Sequence, residues 1–261
     1  MVVEQPSLLA LFDQYQRIDI TYPDMLREAL PHLVRFSRPA PGMSFVLYSR
    51  LDETNVETTI QEQIAYFSSR SLPFEWKVYG HDTPASLGKR LAAHGLIPEE
   101  PENVMVLEVQ EAPATLLEPV QTDVRLLTDR QQLTDVIRVL EGVWGGDFSW
   151  VTERLGSHME VPGHLSVYVA YRQGQPACTG WTYFHANNPF ASLWGGSTLE
   201  AFRHQGIYTA ILAARVQEAR RRGVHYLTVD ASPMSQPILA QHGFRTLTTA
   251  QGFEWKPDPK A

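Results

Sequence analysis

The stretch STLEAFRHQGIYTAIL, residues 197–212, decides the fold of this chain. Its pattern predicts the end of a strand, a short polar turn and the start of a long amphipathic helix near Ile207. The first backbone N–H groups of such a helix lack helical partners, and the helix dipole stabilises a bound anion there by about 0.3–1 kcal/mol. Gly206 lets a ligand approach the backbone closely, and Arg203 adds a full positive charge. Residues 203–209, called the cradle below, are therefore predicted to hold a diphosphate.

Regular elements are predicted on both sides of the cradle. Before it, the apolar spacing predicts strands at 124–127, 165–171, 177–184 and 192–199, with helices at 133–143 and 148–159. After it come the rest of the long helix, a strand at 226–230, a helix at 233–242, and strands near 244–249 and 252–256. The long helix has an apolar stripe formed by Ile207, Ile211, Leu212, Val216 and Ala219, and Gly223 ends it.

The N-terminal half has its own series of elements. Two helices are predicted at its start, the second with Met25, Leu26, Leu30 and Leu33 on its apolar face. A strand at 45–48, a helix over 56–67, a strand at 76–79, a helix at 84–94 and a strand at 104–109 follow. Residues 110–121 contain two prolines and show weak periodicity, which favours a linker.

A weak internal repeat relates the two halves. The segment LAAHGL at 91–96 resembles LAQHGF at 239–244, an offset of 243 − 95 = 148 residues. At this offset Thr58 corresponds to Gly206, and the segment around it has no glycine but three carboxylates, at positions 52, 53 and 57. A carboxylate about 5 Å from a phosphate charge costs roughly 3 kcal/mol. We therefore expect one cradle in a duplicated chain, with an N-terminal half that packs against the C-terminal domain and shapes the acceptor pocket.

The cradle resembles motif A of the GCN5-related N-acetyltransferase (GNAT) superfamily, Arg/Gln-x-x-Gly-x-Gly/Ala. Arg203 and Gly206 match the motif, and Tyr208 stands where a second glycine is usual. The resemblance covers residues 120–261. It implies an α+β (α/β) fold of two GNAT-like domains, each a mixed, mainly antiparallel central sheet flanked by helices. The expected domains are residues 1–118, degenerate and incomplete because helices occupy its start, and residues 119–261, which bind acetyl-CoA.

The resemblance also implies how acetyl-CoA, as co-substrate, is held. A bulge in the strand at about 194–198 separates it from its neighbour, and main-chain groups there bond the pantetheine arm; Gly195 and Gly196 suit such a bulge, or an ordinary turn. The family's Asn and Tyr positions fall on Ser232 and Leu239. The predicted cofactor-binding residues are Gly196, Ser197, Thr198, Arg203, His204, Gln205, Gly206, Ile207, Tyr208, Thr209, Ser232 and Leu239.

The residues that transfer protons are less well defined than those that bind the cofactor. The family's Tyr protonates the departing thiolate, but Leu239 has no proton to donate, so either Tyr208 or another side chain replaces it or the thiolate leaves unprotonated. Because a thiol has a pKa near 8.5, leaving unprotonated costs about 2 kcal/mol at pH 7. The candidate bases are Glu200, Asp230 and Asp147; the alternatives are a solvated side chain for Glu200 and helix caps for the two aspartates.

Composition and sequence motifs argue against several other kinds of ligand and location. The chain has 261 residues and a net charge of −7, which argues against nucleic acid. The single cysteine, Cys178, is expected to be a small buried hydrophobe, and no His pair has HExxH spacing, so no metal is expected. No apolar run has membrane-spanning length and Glu4 is unlike a signal peptide, so the expected location is cytoplasmic.

The predicted function is N-acetyl transfer from acetyl-CoA to a primary amine, carried by a small molecule or peptide, by direct attack. The alternative is a non-catalytic acyl-CoA-binding or interaction protein, which the missing Tyr permits. A dinucleotide oxidoreductase is not supported, because no GxGxxG follows a strand early in a βαβ unit. The oligomeric state stays open between monomer and homodimer.

Overall fold

The computed structural model describes residues 6–39 and 42–257. The chain forms two compact units. Unit 1 comprises the chain up to Val104, the segment Asp230–Gln236 and the segment from Thr246 onward, whereas unit 2 comprises Met105–Val229 and Pro237–Arg245. Each unit therefore takes segments from both sides of the boundary expected at residues 118 and 119, which stays a prediction.

The elements are as follows. The α-helices are α1 (Leu8–Phe12), α2 (Val56–Ser68), α3 (Leu87–Ala93), α4 (Ala114–Leu117), α5 (Leu133–Trp144), α6 (Trp150–Met159), α7 (Ile207–Arg221) and α8 (Gln236–Gln241). The strands are β1 (Leu26–Leu30), β2 (Leu33–Ser37), β3 (Ser44–Ser49), β4 (Phe74–Tyr79), β5 (Ile97–Pro98), β6 (Glu102–Glu108), β7 (Asp123–Leu126), β8 (Leu165–Arg172), β9 (Gln175–Phe184), β10 (Phe190–Thr198), β11 (Tyr226–Ala231) and β12 (Arg245–Trp255). No helix of the described ranges combines the length and apolarity needed to cross a bilayer.

Unit 1 is built on strands in the order β1-β2-β3-β4-β12. β3 and β4 are parallel and are connected by α2, while β12, from the C-terminal end of the sequence, pairs antiparallel with β4. The core under this sheet includes Val46, Ile60, Phe67, Phe74, Trp76 and Leu91. The prediction of a helix with Met25, Leu26, Leu30 and Leu33 on its apolar face is wrong. This segment forms the β1–β2 hairpin, with Leu30 opposite Leu33.

The hairpin has a local cause. Pro31 cannot continue a helix past Leu30, because it lacks an N–H and clashes with the preceding turn. β2 is buried along its whole length. The sequence pattern of such a fully buried strand cannot be told from that of a short buried helix. Two further expectations also need correction: the linker at 110–121 contains α4, and the strands at 244–249 and 252–256 are one continuous strand, β12.

Unit 2 has the strand order β6-β11-β10-β9-β8-β7. β7 to β10 form an antiparallel series, and β10 and β11 are parallel and connected by α7. Alternate residues of β8 face opposite sides: Val167 and Val169 pack with α5 and α6, whereas Tyr168 and Ala170 pack with the first turns of α7. The cradle therefore lies on one side of the sheet of unit 2, and α5 and α6 cover the other.

The internal repeat is visible in the backbone hydrogen bonds. After α3, Leu96 N–H donates to Leu91 O at 3.1 Å, and after α8, Phe244 N–H donates to Leu239 O at 3.1 Å. The glycine before each donor is left-handed, with φ 87° at Gly95 and 86° at Gly243. The two segments of the repeat therefore end their helices in the same way, at an offset of 148 residues.

Candidate functional site

The cradle begins where β10 ends. A short 3₁₀ turn, Glu200–Phe202, leads to Gly206, which caps α7 in the left-handed region with φ 74° and with no side-chain hydrogen bond. The hydrogen bond that starts α7 runs from Ala210 N–H to Gly206 O at 3.0 Å. A Cβ atom at Gly206 would meet nothing within 4 Å, so the backbone faces open space. The first turn of α7 therefore presents its N–H groups to a ligand.

The side chains of the cradle are arranged around this open turn. Arg203 is exposed and donates from Nε to Thr198 O at 3.2 Å, which leaves the rest of its guanidinium for a ligand. Gln205 donates from Nε2 to Ala201 O at 3.1 Å, and His204 is left-handed with φ 59°. Ile207 is buried in the core of unit 2, so it anchors the helix and offers a ligand its main chain only.

The predicted bulge is present in β10. The register with β9 shifts between Trp194 and Ser197, and the parallel register with β11 ends at Ser192. Gly195 has φ 62°, and a Cβ atom there would lie 1.8 Å from the ring of Trp181, so this position requires glycine. The main chain of β10 after Ser192 thus runs free of the β11 register, as β-augmentation by an extended ligand requires.

Side chains from both sides of the sheet hold the bulge. Trp144, at the end of α5, donates from Nε1 to Ser197 Oγ at 3.0 Å. Thr198 Oγ1 lies 3.1 Å from Cys178 Sγ, and Cys178 is fully buried as predicted, with burial raising the pKa of its thiol to about 11. A thiol with this pKa is unreactive at neutral pH. Sequence reasoning missed Trp144, because the contact joins residues 53 positions apart.

Tyr208 lies beside the bulge. Its ring is 3.0 Å from the position that a Cβ of Gly196 would take, so the tyrosine and the glycine fit together. Burial raises the pKa of the Tyr208 phenol, and the guanidinium of Arg215 opposes this shift. The phenol is therefore protonated at neutral pH, which its predicted role as an acid requires.

Arg215 is a buried cation on α7. It is 1% exposed, and its Nη1 lies 3.5 Å from Trp194 O, at the start of the bulge. A Cβ atom on Gly180 would lie 2.9 Å from Nη1, so glycine at that position makes room for the guanidinium. The sequence does carry a signal for this burial: Arg215 follows Ile211 by four residues and therefore falls on the apolar stripe of α7.

Thr209 connects the cradle to α8. Its Oγ1 lies 3.2 Å from His242 Nε2, and burial lowers the pKa of His242. A cavity of about 160 Å³ lies beside this turn, with Gly206, Thr209 and the segment 118–121 in its wall. Leu239, on α8, is fully buried and apolar, so it cannot donate a proton.

The candidate bases in unit 2 have different surroundings. Asp147 accepts hydrogen bonds from Ser149 N–H at 2.8 Å and from Ser149 Oγ at 3.0 Å, and these bonds lower the pKa of its carboxyl. These bonds form a turn before α6, and Asp147 does not cap the helix, because the N-cap residue Ser149 makes no side-chain cap hydrogen bond. Glu200 is exposed in the turn that leads to the cradle. Both carboxylates stay predictions as bases.

Asp230 and Ser232 belong to unit 1. Asp230 accepts from Lys77 Nζ at 2.5 Å, and this partly buried ion pair holds the pKa of Lys77 well above its ordinary value in spite of desolvation. Ser232 Oγ lies 3.3 Å from Ser235 Oγ. Their predicted roles stay predictions. In the described ranges 6–39 and 42–257, no group of His, Cys, Asp and Glu side chains could hold a metal ion.

Comparison with solved structures identifies the fold. A GCN5-related N-acetyltransferase from Kribbella flavida aligns with a TM-score of 0.69 at 14% identity, over 90% of each chain. A functionally unknown conserved protein from Staphylococcus epidermidis aligns with a TM-score of 0.68 at 15% identity, over 92% of this chain and 99% of that one. A tandem GNAT protein from the clavulanic acid biosynthesis pathway aligns with a TM-score of 0.60 at 13% identity, over 97% and 89%.

These identities establish the fold alone. The chain has the GNAT fold, a mixed α/β architecture with a mainly antiparallel sheet flanked by helices, which confirms the predicted fold class. Neither a protein-family model nor a curated protein matches the sequence.

Proposed function

We propose that the chain is an acyl-CoA-dependent acyltransferase that moves an acetyl group from acetyl-CoA to a primary amine by direct attack. The observation that carries this proposal is the uncapped N-terminus of α7. Gly206 leaves its backbone facing open space, and Arg203 stands exposed beside it. A diphosphate fits this arrangement, because its charge and its oxygens match a helix N-terminus and a guanidinium.

The bulge of β10 provides the second part of the proposed site. Because the β11 register ends at Ser192, main-chain groups of Gly196, Ser197 and Thr198 are proposed to bond the amide groups of the pantetheine arm. Trp144 and Cys178 hold Ser197 and Thr198 in place through their side chains. The arm therefore meets a preorganised strand, which reduces the entropy lost on binding.

The proposed chemistry needs a neutral amine. An alkylamine with a pKa near 10.4 is almost entirely protonated at pH 7, so a base must remove a proton before the nitrogen attacks the thioester carbon. Glu200, Asp147 and Asp230 remain the proposed bases. Of these, the carboxyl of Asp147 has its pKa lowered by Ser149, which makes it a weaker proton acceptor.

A second candidate function is a non-catalytic acyl-CoA-binding protein. The observation in its favour is Leu239, which is fully buried where the GNAT resemblance expects a proton-donating Tyr. Such a protein keeps the cradle and the bulge but does not turn over its ligand. The two candidates therefore predict the same binding and different chemistry.

Two assays on the full chain separate these candidates. Calorimetry measures acetyl-CoA binding, and a thiol-release assay with acetyl-CoA and a library of primary amines measures transfer. Binding together with amine-dependent thiol release supports the enzyme. Binding without release on any amine supports the non-catalytic candidate, and no binding contradicts both.

A further inference from the structure

Arg215 has unsatisfied hydrogen-bonding capacity beneath the bulge. Although the side chain is almost completely buried, neither its Nε nor its Nη2 has a hydrogen-bond partner within residues 6–39 and 42–257. Its polar contacts are a long one from Nη1 to Trp194 O, at 3.5 Å, and a hydrogen bond to the phenol of Tyr208. A buried guanidinium in this state is costly, because few hydrogen bonds offset its desolvation.

The titratable groups next to Arg215 at the bulge carry no negative charge. Tyr208 on the same helix and Cys178 on β9 are the titratable groups coupled to it, and burial raises the pKa of both, so both are neutral at pH 7. The segment 194–198 of β10 carries no charged residue. Glu218, three residues along α7, is buried but already accepts from Ser166, Tyr168 and Arg222.

We propose that Arg215 stabilises the thiolate that leaves in acyl transfer, by presenting its charge beneath the bulge of β10. This inference rests on the proposed function. The acceptor nitrogen forms a bond to the acyl carbon, the carbon–sulfur bond breaks, and its electron pair stays on sulfur. The proton of the amine passes to a carboxylate or to water. The thiolate thus departs as an anion beside a cation, and no proton donor is needed at Leu239.

The charge arrangement gives the proposal its physical basis. A cation in a low-dielectric site interacts strongly with an anion that forms next to it, since little water screens the pair. Gly180 and Gly195 leave the space that the guanidinium and the bulge require. A lysine or arginine at an exposed position of α7, such as Arg221, has no such effect because solvent screens it.

The test compares the binding of coenzyme A and of desulfo-coenzyme A, which lacks the thiol, by calorimetry from pH 6.5 to 9.5. Wild-type protein should lower the pKa of the bound thiol by about one unit from 8.5, so its preference for coenzyme A should rise about tenfold as pH increases. Arg215→Gln should abolish this rise, and Arg215→Lys should restore part of it. Arg221→Gln, on the exposed last turn of α7, should behave as wild type.

The wild-type measurement can overturn the proposed role of Arg215 even if the Arg215 variants fail to fold. A constant preference across the pH range in wild type overturns the role of Arg215 and leaves the cradle intact. A pH-dependent preference that survives Arg215→Gln also overturns it. If neither ligand binds to the wild-type protein, the proposed function itself fails.

Discussion

The N-termini of α2 and α7 occupy equivalent places in the two halves of the chain. Each helix connects two parallel strands, β3 to β4 and β10 to β11. At α7, Gly206 leaves the first turn open. At α2, Asp52 Oδ1 accepts from Thr54 N–H at 2.8 Å and from Asn55 N–H at 3.2 Å, so a carboxylate of the protein bonds the main chain just before the helix begins.

The helix-capping histidines show the same divergence. His94, which follows α3, bonds Glu57 in the first turn of α2 at 2.7 Å, whereas His242, which follows α8, bonds Thr209 in the first turn of α7 at 3.2 Å. In each half a histidine therefore bonds a residue in the first turn of another helix, and that partner is a carboxylate at α2 and a hydroxyl at α7. His94 and Arg90 together lower the pKa of the Glu57 carboxyl, so that residue stays anionic.

Both halves of the chain also contain a strand bulge. β3 has one extra residue, Leu47, relative to β2, and β10 has one extra residue relative to β9. Leu47 is buried among apolar neighbours, whereas the bulge of β10 is made of Gly195 and Gly196. The two halves therefore share these backbone features, and they differ in the side chains at the helix N-terminus and at the bulge.

The largest expected effect comes from making the cradle resemble α2. Gly206→Glu places a carboxylate about 5 Å from a bound phosphate, which costs roughly 3 kcal/mol and weakens acetyl-CoA binding about 100-fold. Gly174→Glu is the matched control, because Gly174 is also left-handed, with φ 75°, and a Cβ there meets nothing within 4 Å. Calorimetry should find the control unchanged; an equal loss in both variants would refute the assignment.

The next effect concerns the bulge. Gly195→Ala should lower the free energy of unfolding by about 2–3 kcal/mol, because the added methyl overlaps the ring of Trp181 and the backbone is left-handed. Gly146→Ala is the control: its φ is 79°, but a Cβ there meets nothing within 4 Å, so only the conformational cost of about 1 kcal/mol remains. Urea unfolding measures both, and equal losses would show that Trp181 does not define the bulge.

A smaller effect is expected at Arg203. Arg203→Met should weaken acetyl-CoA binding about tenfold at low salt, because one charge-assisted contact to phosphate is lost. The deficit should shrink as KCl is added, since the side chain is exposed and its charge is screened. Arg220→Met, at the far end of α7, should bind as wild type does. A deficit that does not depend on salt would argue against a charge contact.

The smallest effect is a pH dependence of stability. Because burial lowers the pKa of folded His242 below 6.5, the unfolded chain binds a proton first, so this group's contribution is present above pH 6.5 and is lost as pH falls through the folded pKa. His242→Gln removes the titration and keeps a hydrogen-bonding group for Thr209. Wild type should therefore lose more stability than the variant between pH 7.5 and 5 in urea unfolding. Equal losses would contradict the burial of His242.

Local features of this molecule are well predicted from sequence. The turn at Gly206 and the bulge glycines depend on backbone conformation within a few residues, so each can be predicted from one segment of sequence. The acidic start of α2 can be predicted from one segment for the same reason. The repeated His-Gly ends also follow from short-range hydrogen bonding.

Nonlocal features are not predicted. The pairing of β12 with β4 joins residues about 170 to 180 positions apart, and no periodicity in either segment identifies the partner. The β1–β2 hairpin was missed because its apolar spacing also fits a helix. Arg215 falls on the apolar stripe of α7, but the space that it needs is left by Gly180, a residue on another element that the sequence of α7 does not identify.

One measurement tests the central claim that the chain has a single cradle, at α7. Equilibrium dialysis with labelled acetyl-CoA counts the ligand bound per chain at saturation, for wild type and for Gly206→Glu. We predict one acetyl-CoA per wild-type chain and none for the variant over the same concentration range. Two molecules per wild-type chain, or one that remains bound to Gly206→Glu, would contradict the account.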